Sequence, residues 1–177
     1  MLLLVGLGNP GSNYTNTRHN IGFKIIDAIN THFKLTKQKP KFKGLLTTGN
    51  IDEKKIYAIK PLTFMNNSGT AIKELIDYFK IDAKNVFVFH DDLDIDFGKI
   101  KAKFGGSSAG HNGVESIDKF IGKDYSRVRI GIGHPKQKKK VNNHVLEDFK
   151  EDEEEKINEI TENIVKQLPT LIGKKID

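Results

Sequence analysis

The chain has 177 residues, contains no cysteine and carries a formal net charge of +6. A chain of this length most simply forms one domain, and the absence of cysteine excludes a disulfide framework and metal ligation by thiolates. Residues 1–11 have no basic segment and their apolar run breaks after Val5, so we expect neither a signal peptide nor a membrane span, and a cytoplasmic protein.

The charge is unevenly distributed along the chain. Residues 151–177 contain 4 basic and 8 acidic residues, and the other 25 basic and 15 acidic residues lie in residues 1–150. A basic body suits a polyanionic partner such as a nucleic acid. A generally lysine-rich proteome would produce the same excess, so charge alone leaves both interpretations open.

The first half of the chain alternates between strand and helix patterns. The short apolar run Leu2–Val5 predicts a buried parallel strand. After a Gly/Asn-rich loop, a helix with Thr17 or Asn20 as its cap is predicted by apolar residues that recur every four positions: Ile21, Ile25, Ile29 and Phe33. Residues 44–50 and 55–60 predict two strands joined by a turn. A polar loop then leads to a second helix, marked by Ile72, Leu75, Ile76 and Phe79.

The second half continues the alternation. Val86–Phe89 is the clearest core strand and is expected to end at His90. Residues 99–104 alternate lysine with apolar residues, which places three lysines on one strand face. A Gly/Ser loop, a third helix and a strand over 127–132 follow, and then a basic, hinge-like run at 136–140. The acidic start and apolar stripe of residues at about 151–168 predict an amphipathic C-terminal helix.

This alternation predicts a single α/β domain over residues 1–177 with a mixed, largely parallel sheet, because residues 44–60 and 95–104 have features of antiparallel hairpins. Polar residues follow successive predicted strands: Asn9, Asn66 and Asn67, Asp91 and Asp92, and His134. Ligand sites in open α/β sheets collect beyond the carboxyl ends of the strands. We therefore expect Asn9, Asn66 and Asp91 to meet at one edge, with His19 beside them.

These residue types suit hydrolysis. A neutral His19 near a helix start can accept a proton near pH 7, and Asp91 can orient its ring. The carboxamides of Asn9, Asn66 and Asn112 can stabilise an oxyanion. Because the chain has no cysteine and no serine in a nucleophile elbow, activated water is the expected nucleophile. Each residue also has a purely structural interpretation, as a turn, cap or packed side chain.

Two other kinds of site are considered. The spacing Gly6-x-Gly8-x-x-Gly11 after a strand matches a dinucleotide-binding fingerprint, but Pro10 interrupts it and the helix does not open at Gly11. A nucleotide-dependent oxidoreductase is therefore a weak alternative. His19, His90, Asp91 and His111 have no recognised metal-ligand spacing, so no metal or cofactor is expected, and His90 and His134 are interpreted as structural.

Four segments in order between residues 5 and 135 carry a resemblance to a known family: VGLGNPGSNYTNTRHNIGF, KPLTFMNNSG, HDDLDIDFGKIKAKFGGSSAGHNG and YSRVRIGIGHP. Together they resemble bacterial peptidyl-tRNA hydrolases. The resemblance implies a mixed twisted sheet flanked by helices and a cytosolic, usually monomeric, metal-free esterase. It also implies cleavage of the ester that joins a peptide to the tRNA 3′ end, which frees tRNA for reuse in translation.

The resemblance also assigns roles by matching position. His19 matches the catalytic base and Asp91 its partner, and Asn9, Asn66 and Asn112 match the amides that bind the peptide end and stabilise the intermediate. Further matching positions line the crevice or hold the 5′-phosphate and acceptor stem: Tyr14 and Met65 for the crevice, Lys103 and Arg129 for the tRNA, with Lys101 on the same lysine face. His111 is expected to support the site. A non-catalytic RNA-binding module of the same fold stays open as an alternative.

Overall fold

A mixed sheet forms the centre of the computed structural model, which describes residues 1–135 and 141–173. Its strands, in chain order, are β1 (Leu2–Gly6), β2 (Lys39–Lys41), β3 (Gly44–Ile51), β4 (Lys54–Pro61), β5 (Val86–Asp92), β6 (Ile100–Phe104) and β7 (Ser126–Gly131). Their order across the sheet is β2-β3-β4-β1-β5-β7-β6. The basic run at 136–140 lies outside the described residues.

The four central strands β4, β1, β5 and β7 are parallel; β3 and β6 pair antiparallel to β4 and β7, and β2 pairs antiparallel to β3. The predicted mixed, largely parallel sheet is therefore confirmed. β3 and β4 form the expected hairpin, whereas β6 pairs with β7, which follows it only after an intervening helix. The antiparallel character of residues 95–104 comes from this distant partner.

Helices cover both faces of the sheet. They are α1 (Ile21–His32), α2 (Ser68–Phe79), α3 (Asn112–Ile121), α4 (Val141–Leu146) and α5 (Glu151–Gly173). Alternate residues of β1 point to opposite sides: Leu4 belongs to the core under α1 and α5, while Leu3 and Val5 belong to the core under α2 and α3. No helix of the described residues has the length and apolarity needed to cross a membrane.

Two elements extend several residues beyond their predicted ends. β5 continues through His90 to Asp92 because β7 pairs with it along this polar end, where Asp91 lies opposite Ile130. α5 runs through Pro169 to Gly173 instead of ending at about residue 168. Leu168 and Ile172 are both buried in the core, so packing outweighs the hydrogen bond that Pro169 removes.

Candidate active site

His19 and Asp91 lie at the carboxyl ends of β1 and β5. Residues Arg18–Asn20 form one turn of 3-10 helix directly before α1, and Asp91 is the penultimate residue of β5. His19 Nδ1 is 2.8 Å from Asp91 Oδ2 and 3.0 Å from Asp91 Oδ1. The contact expected from the sequence is present, and both side chains are nearly inaccessible to solvent.

The close approach of α1 to the sheet brings this turn into place. A methyl group at Gly22, in the first turn of α1, would collide with the backbone of Leu7 and Phe89. One at Gly6 would collide with the Gly22 carbonyl. Because no side chain separates these segments, α1 rests directly on the ends of β1 and β5, and His19 comes within reach of Asp91.

The charge of Asp91 determines the tautomer of His19. Burial disfavours the carboxylate, but the neighbouring His19 and His111 outweigh it and hold the Asp91 pKa well below its usual range. An ionised carboxylate only accepts hydrogen bonds, so His19 Nδ1 carries the proton and donates it. Burial disfavours the His19 imidazolium, yet the Asp91 charge and hydrogen bond outweigh that effect and raise the His19 pKa. The ring therefore has an unprotonated, strengthened base at Nε2.

His111 holds Asp91 from the other side and caps α3. Its Nδ1 accepts the backbone N–H groups of Gly113 and Val114, at 3.1 and 3.3 Å. This nitrogen is therefore unprotonated, and Nε2–H donates to Asp91 Oδ1 at 2.8 Å. With both ring nitrogens engaged, His111 has no free basic atom. It can position Asp91 and the start of α3, where Asn112 lies.

His90 is buried behind this group. Its Nδ1–H donates to the Asp91 carbonyl at 2.8 Å. Burial lowers the His90 pKa to about 3, so the ring is neutral. This geometry agrees with the structural interpretation of His90.

His19, Asp91 and His111 are also close enough for their donor atoms to be considered as metal ligands, since these atoms lie within 4.8 Å of one another. However, the N···O distances of 2.8–3.0 Å are those of hydrogen bonds, with both histidines donating to Asp91. A metal ion would have to displace both N–H groups. The arrangement fits a hydrogen-bonded acid–base group.

The carboxamide of Asn9 is fixed by neighbours on two loops. Its Oδ1 accepts the Met65 N–H at 2.8 Å, so Nδ2 is left as the donor. The Asn20 side chain accepts the Asn9 N–H at 2.8 Å and donates to the Asn9 carbonyl at 2.9 Å. Asn20 occupies the N-cap position of α1, as the sequence predicts, but its side chain makes no capping hydrogen bond. It is a positioning residue that the sequence reasoning missed, and its signal was a second carboxamide directly after His19.

The other predicted site residues lie around this centre at different depths. Met65 is buried and packs against Gly113, where a methyl group would strike its sulfur. Asn66 and Asn112 are exposed, close to the starts of α2 and α3, and Tyr14 is half-buried. Of these, Asn112 lines the same cleft as His19 and Asp91, whereas Asn9 lines a neighbouring groove with Asn20.

The cleft has two walls that the sequence reasoning did not assign. One is the loop Ser108–Ala109–Gly110, and the other is α4, through Val141, Asn142 and Val145. α4 has only six residues, too few for a periodic pattern to show. The cleft is therefore enclosed partly by a helix that no motif indicated.

The basic residues lie on the edge strand β6 and on its neighbour β7. Lys101 and Lys103 are exposed on β6, and Lys101 lies opposite Arg129 of β7. Arg129 is less free than expected, because its Nη1 is 3.5 Å from Asp92 Oδ2 and only 25 % of its side chain is exposed. The end of the Lys103 side chain lies over Gly106, where an added methyl group would meet it at 3.3–3.5 Å. The lysine face is thus continuous with the loop that lines the cleft.

Comparisons with known proteins agree with this geometry. Residues 3–177 match the family model for peptidyl-tRNA hydrolase. The peptidyl-tRNA hydrolase of Pelagibacter ubique is 71 % identical over 177 residues, covering 100 % of this chain and 95 % of its own, and that of Bartonella quintana is 46 % identical over 172 residues, covering 97 % and 89 %. The crystal structure of peptidyl-tRNA hydrolase from Acinetobacter baumannii superposes with a TM-score of 0.92 at 36 % identity, covering 98 % of this chain and 89 % of that one.

Proposed function

The chain belongs to the peptidyl-tRNA hydrolase family, and we propose that it hydrolyses the ester bond of peptidyl-tRNA with His19 as general base and Asp91 as its partner. The 2.8 Å contact between His19 Nδ1 and the buried Asp91 carboxylate carries this assignment. It fixes the tautomer that leaves Nε2 able to take a proton.

The reaction proceeds in two steps. A water molecule beside His19 attacks the ester carbonyl and transfers a proton to Nε2, which forms a tetrahedral oxyanion and an imidazolium. The Asp91 carboxylate stabilises that imidazolium. The intermediate then collapses: the bond to the ribose oxygen of the tRNA 3′ end breaks, and that oxygen takes the proton from Nε2. The products are a free peptide carboxylic acid and a free tRNA.

The carboxamides lie on the side of the site where the charge develops, with Asn112 in the cleft and Asn9 in the neighbouring groove. Asn9 presents its Nδ2 donor because its oxygen is held by the Met65 N–H. Asn112 lines the cleft at the start of α3, and Asn66 follows Met65. We assign these three amides to binding the peptide end and stabilising the oxyanion, where one such donor is worth about 10²–10³-fold in rate. By their match to the family we assign Tyr14 and Met65 to the crevice that receives the peptide.

The exposed lysines serve the nucleic acid. Lys101 and Lys103 bind phosphates of the acceptor stem and the 5′-phosphate, and Arg129 adds a partly neutralised charge beside Asp92. Recognition of backbone rather than bases suits an enzyme that must accept every tRNA. We further propose that the protein is a cytoplasmic monomer, that it works without a cofactor, and that residues 1–177 act as one domain.

The assay compares two forms of one substrate. An aminoacyl-tRNA whose amine is acetylated mimics peptidyl-tRNA, and its free-amine form is the matched control. We expect rapid release of tRNA from the acetylated form only, and nearly complete loss of this activity in His19→Ala with the fold retained. Binding of both forms without cleavage would instead support a non-catalytic RNA-binding module of the same fold.

A further inference from the structure

Arg18, the residue before His19, is a buried cation whose partners are far along the chain. Its side chain is 3 % exposed. Nη1 donates to the His144 carbonyl at 3.0 Å, and Nη2 donates to Glu153 Oε1 at 3.0 Å. Glu147 Oε2, on a largely exposed side chain, is a weaker partner at 3.4 Å. A buried guanidinium is costly without such partners, so this arrangement strongly favours one placement of the connected segments.

The backbone around Arg18 is tied to the same region. The Arg18 N–H donates to the Glu147 carbonyl at 3.0 Å, and the Phe149 N–H donates to the Asn16 carbonyl at 3.2 Å. Thr17 and Asp148 form an antiparallel bridge between these two bonds. The segment connecting α4 to α5 therefore lies along the residues that lead into His19.

Arg18 joins the ends of both C-terminal helices. The His144 carbonyl lies in the last turn of α4. Glu153 lies in the first turn of α5, where its Oε1 also accepts the Lys150 N–H at 2.9 Å and so caps that helix. One side chain thus binds the end of the helix that forms a wall of the cleft and the start of the helix that packs on the core.

α4 depends on such external contacts. A helix of six residues is too short to be stable by its own hydrogen bonds. It nevertheless places Val141, Asn142 and Val145 along the cleft that holds His19 and Asp91. The contacts through Arg18 connect this wall directly to the turn that carries the base.

We propose that Arg18 is a positioning residue that holds α4 against the cleft and keeps His19 in line with Asp91. The inference rests on the proposed function for its kinetic consequence, but its structural consequence at His19 is independent of turnover. Both effects arise from the contacts of Arg18 with His144 and Glu153, which we call the Arg18 clamp. Loosening these contacts is expected to weaken substrate binding, because α4 moves, and to slow the chemical step, because His19 moves.

The test uses Arg18→Lys, which keeps the charge but cannot bridge two acceptors with a planar fork, and Glu153→Gln, which keeps a neutral acceptor. Glu147→Gln is the control on the weaker, exposed partner. Ile81→Ala is the stability control, because Ile81 is buried just after the end of α2 and does not line the cleft. Each variant is assayed with the acetylated aminoacyl-tRNA well below its melting temperature.

For Arg18→Lys we expect kcat to fall by between about 10- and 100-fold, as for a small misplacement of a catalytic group, and KM to rise. Glu153→Gln should show a smaller fall of the same kind, and Glu147→Gln little change. By NMR, hydrogen exchange of the His19 Nδ1–H should be faster in Arg18→Lys and unchanged in Ile81→Ala. The proposal is overturned if Arg18→Lys keeps wild-type kinetics and exchange, or if its losses match those of Ile81→Ala. A wild-type protein without turnover would reject the proposed function, while the exchange measurement would still test the clamp.

Discussion

Replacing Asp91 by asparagine should inactivate the protein through the tautomer of His19. In the native site His19 Nδ1 donates to Asp91 Oδ2 and His111 Nε2 donates to Asp91 Oδ1, each at 2.8 Å. Asparagine has one oxygen and one NH₂ group, so only one histidine can keep an oxygen at its 2.8 Å contact. His111 cannot change its tautomer without losing the cap of α3, because its Nδ1 accepts two backbone N–H groups.

The asparagine oxygen should therefore face His111, and its NH₂ group should face His19. His19 Nδ1 then becomes an acceptor, the proton moves to Nε2, and the base is lost. In serine-protease triads the equivalent change lowers kcat about 10⁴-fold for the same reason. Allowing for residual general-base catalysis, we expect a loss of about 10³–10⁴-fold in single-turnover cleavage of acetylated aminoacyl-tRNA.

A second substitution separates this mechanism from simple loss of charge. His111→Asn can still cap α3 but no longer donates to residue 91, so in the double variant the amide at 91 is free to turn its oxygen toward His19. We expect the double variant to be about 10-fold or more faster than Asp91→Asn alone, a non-additivity typical of residues in direct contact. A double variant no faster than Asp91→Asn, or an Asp91→Asn enzyme within tenfold of wild type, would refute the reasoning.

Three further predictions concern pH, salt and acid stability. The His19 pKa is raised above 6.5 and the neutral ring is the base, so the acid limb of the plot of kcat/KM against pH should lie above pH 6.5. An acid limb below that value would contradict the assigned effect of Asp91. The double variant Lys101→Ala, Lys103→Ala should raise the Kd for tRNA and reduce the slope of log Kd against log salt by about two. The control Lys73→Ala, on an exposed position of α2, should leave both quantities unchanged. Equal slopes in all proteins would count against tRNA binding by the lysine face. His90 has a pKa lowered to about 3, so the unfolded chain binds its proton first on acidification, and the free energy of unfolding should fall between pH 6.5 and about 3 by on the order of 4 kcal/mol from this group. His90→Asn should flatten that part of the urea-denaturation profile, and an identical slope would remove His90 as the cause.

The sequence predicted the central contact because it depends on a general property of parallel sheets. β1 and β5 are adjacent and parallel, so residues after the first and at the end of the second are close in space. The family resemblance predicted the remaining site positions, and the match to the family model confirms that resemblance. The lysine alternation likewise placed Lys101 and Lys103 on one face of a strand that exists.

The missed features depend on partners that no local pattern indicates. Asparagine is a residue type that often caps helices, and Asn20 stands where a cap is expected. It holds the Asn9 loop only because the fold brings the Asn9 backbone, eleven residues earlier, against its side chain. Arg18 binds His144 and Glu153, which lie 126 and 135 positions further along the chain. α5 passes Pro169 because the burial of Ile172 outweighs local propensity. In each case tertiary packing decides between options that the sequence leaves open.

The order of the strands fixes the distance between the acid–base group and the lysine face. β6, with its lysines, lies two strand spacings from β5, with Asp91, or about 10 Å across the sheet. Backbone hydrogen bonds between the strands hold that span rigid, so under the proposed function the sheet fixes the distance between the ester at His19 and the phosphates at the lysines. A minimal substrate that ends after the terminal nucleotide would reach the imidazole without touching the lysines. It would bind weakly but, once bound, would be hydrolysed as fast as the complete tRNA.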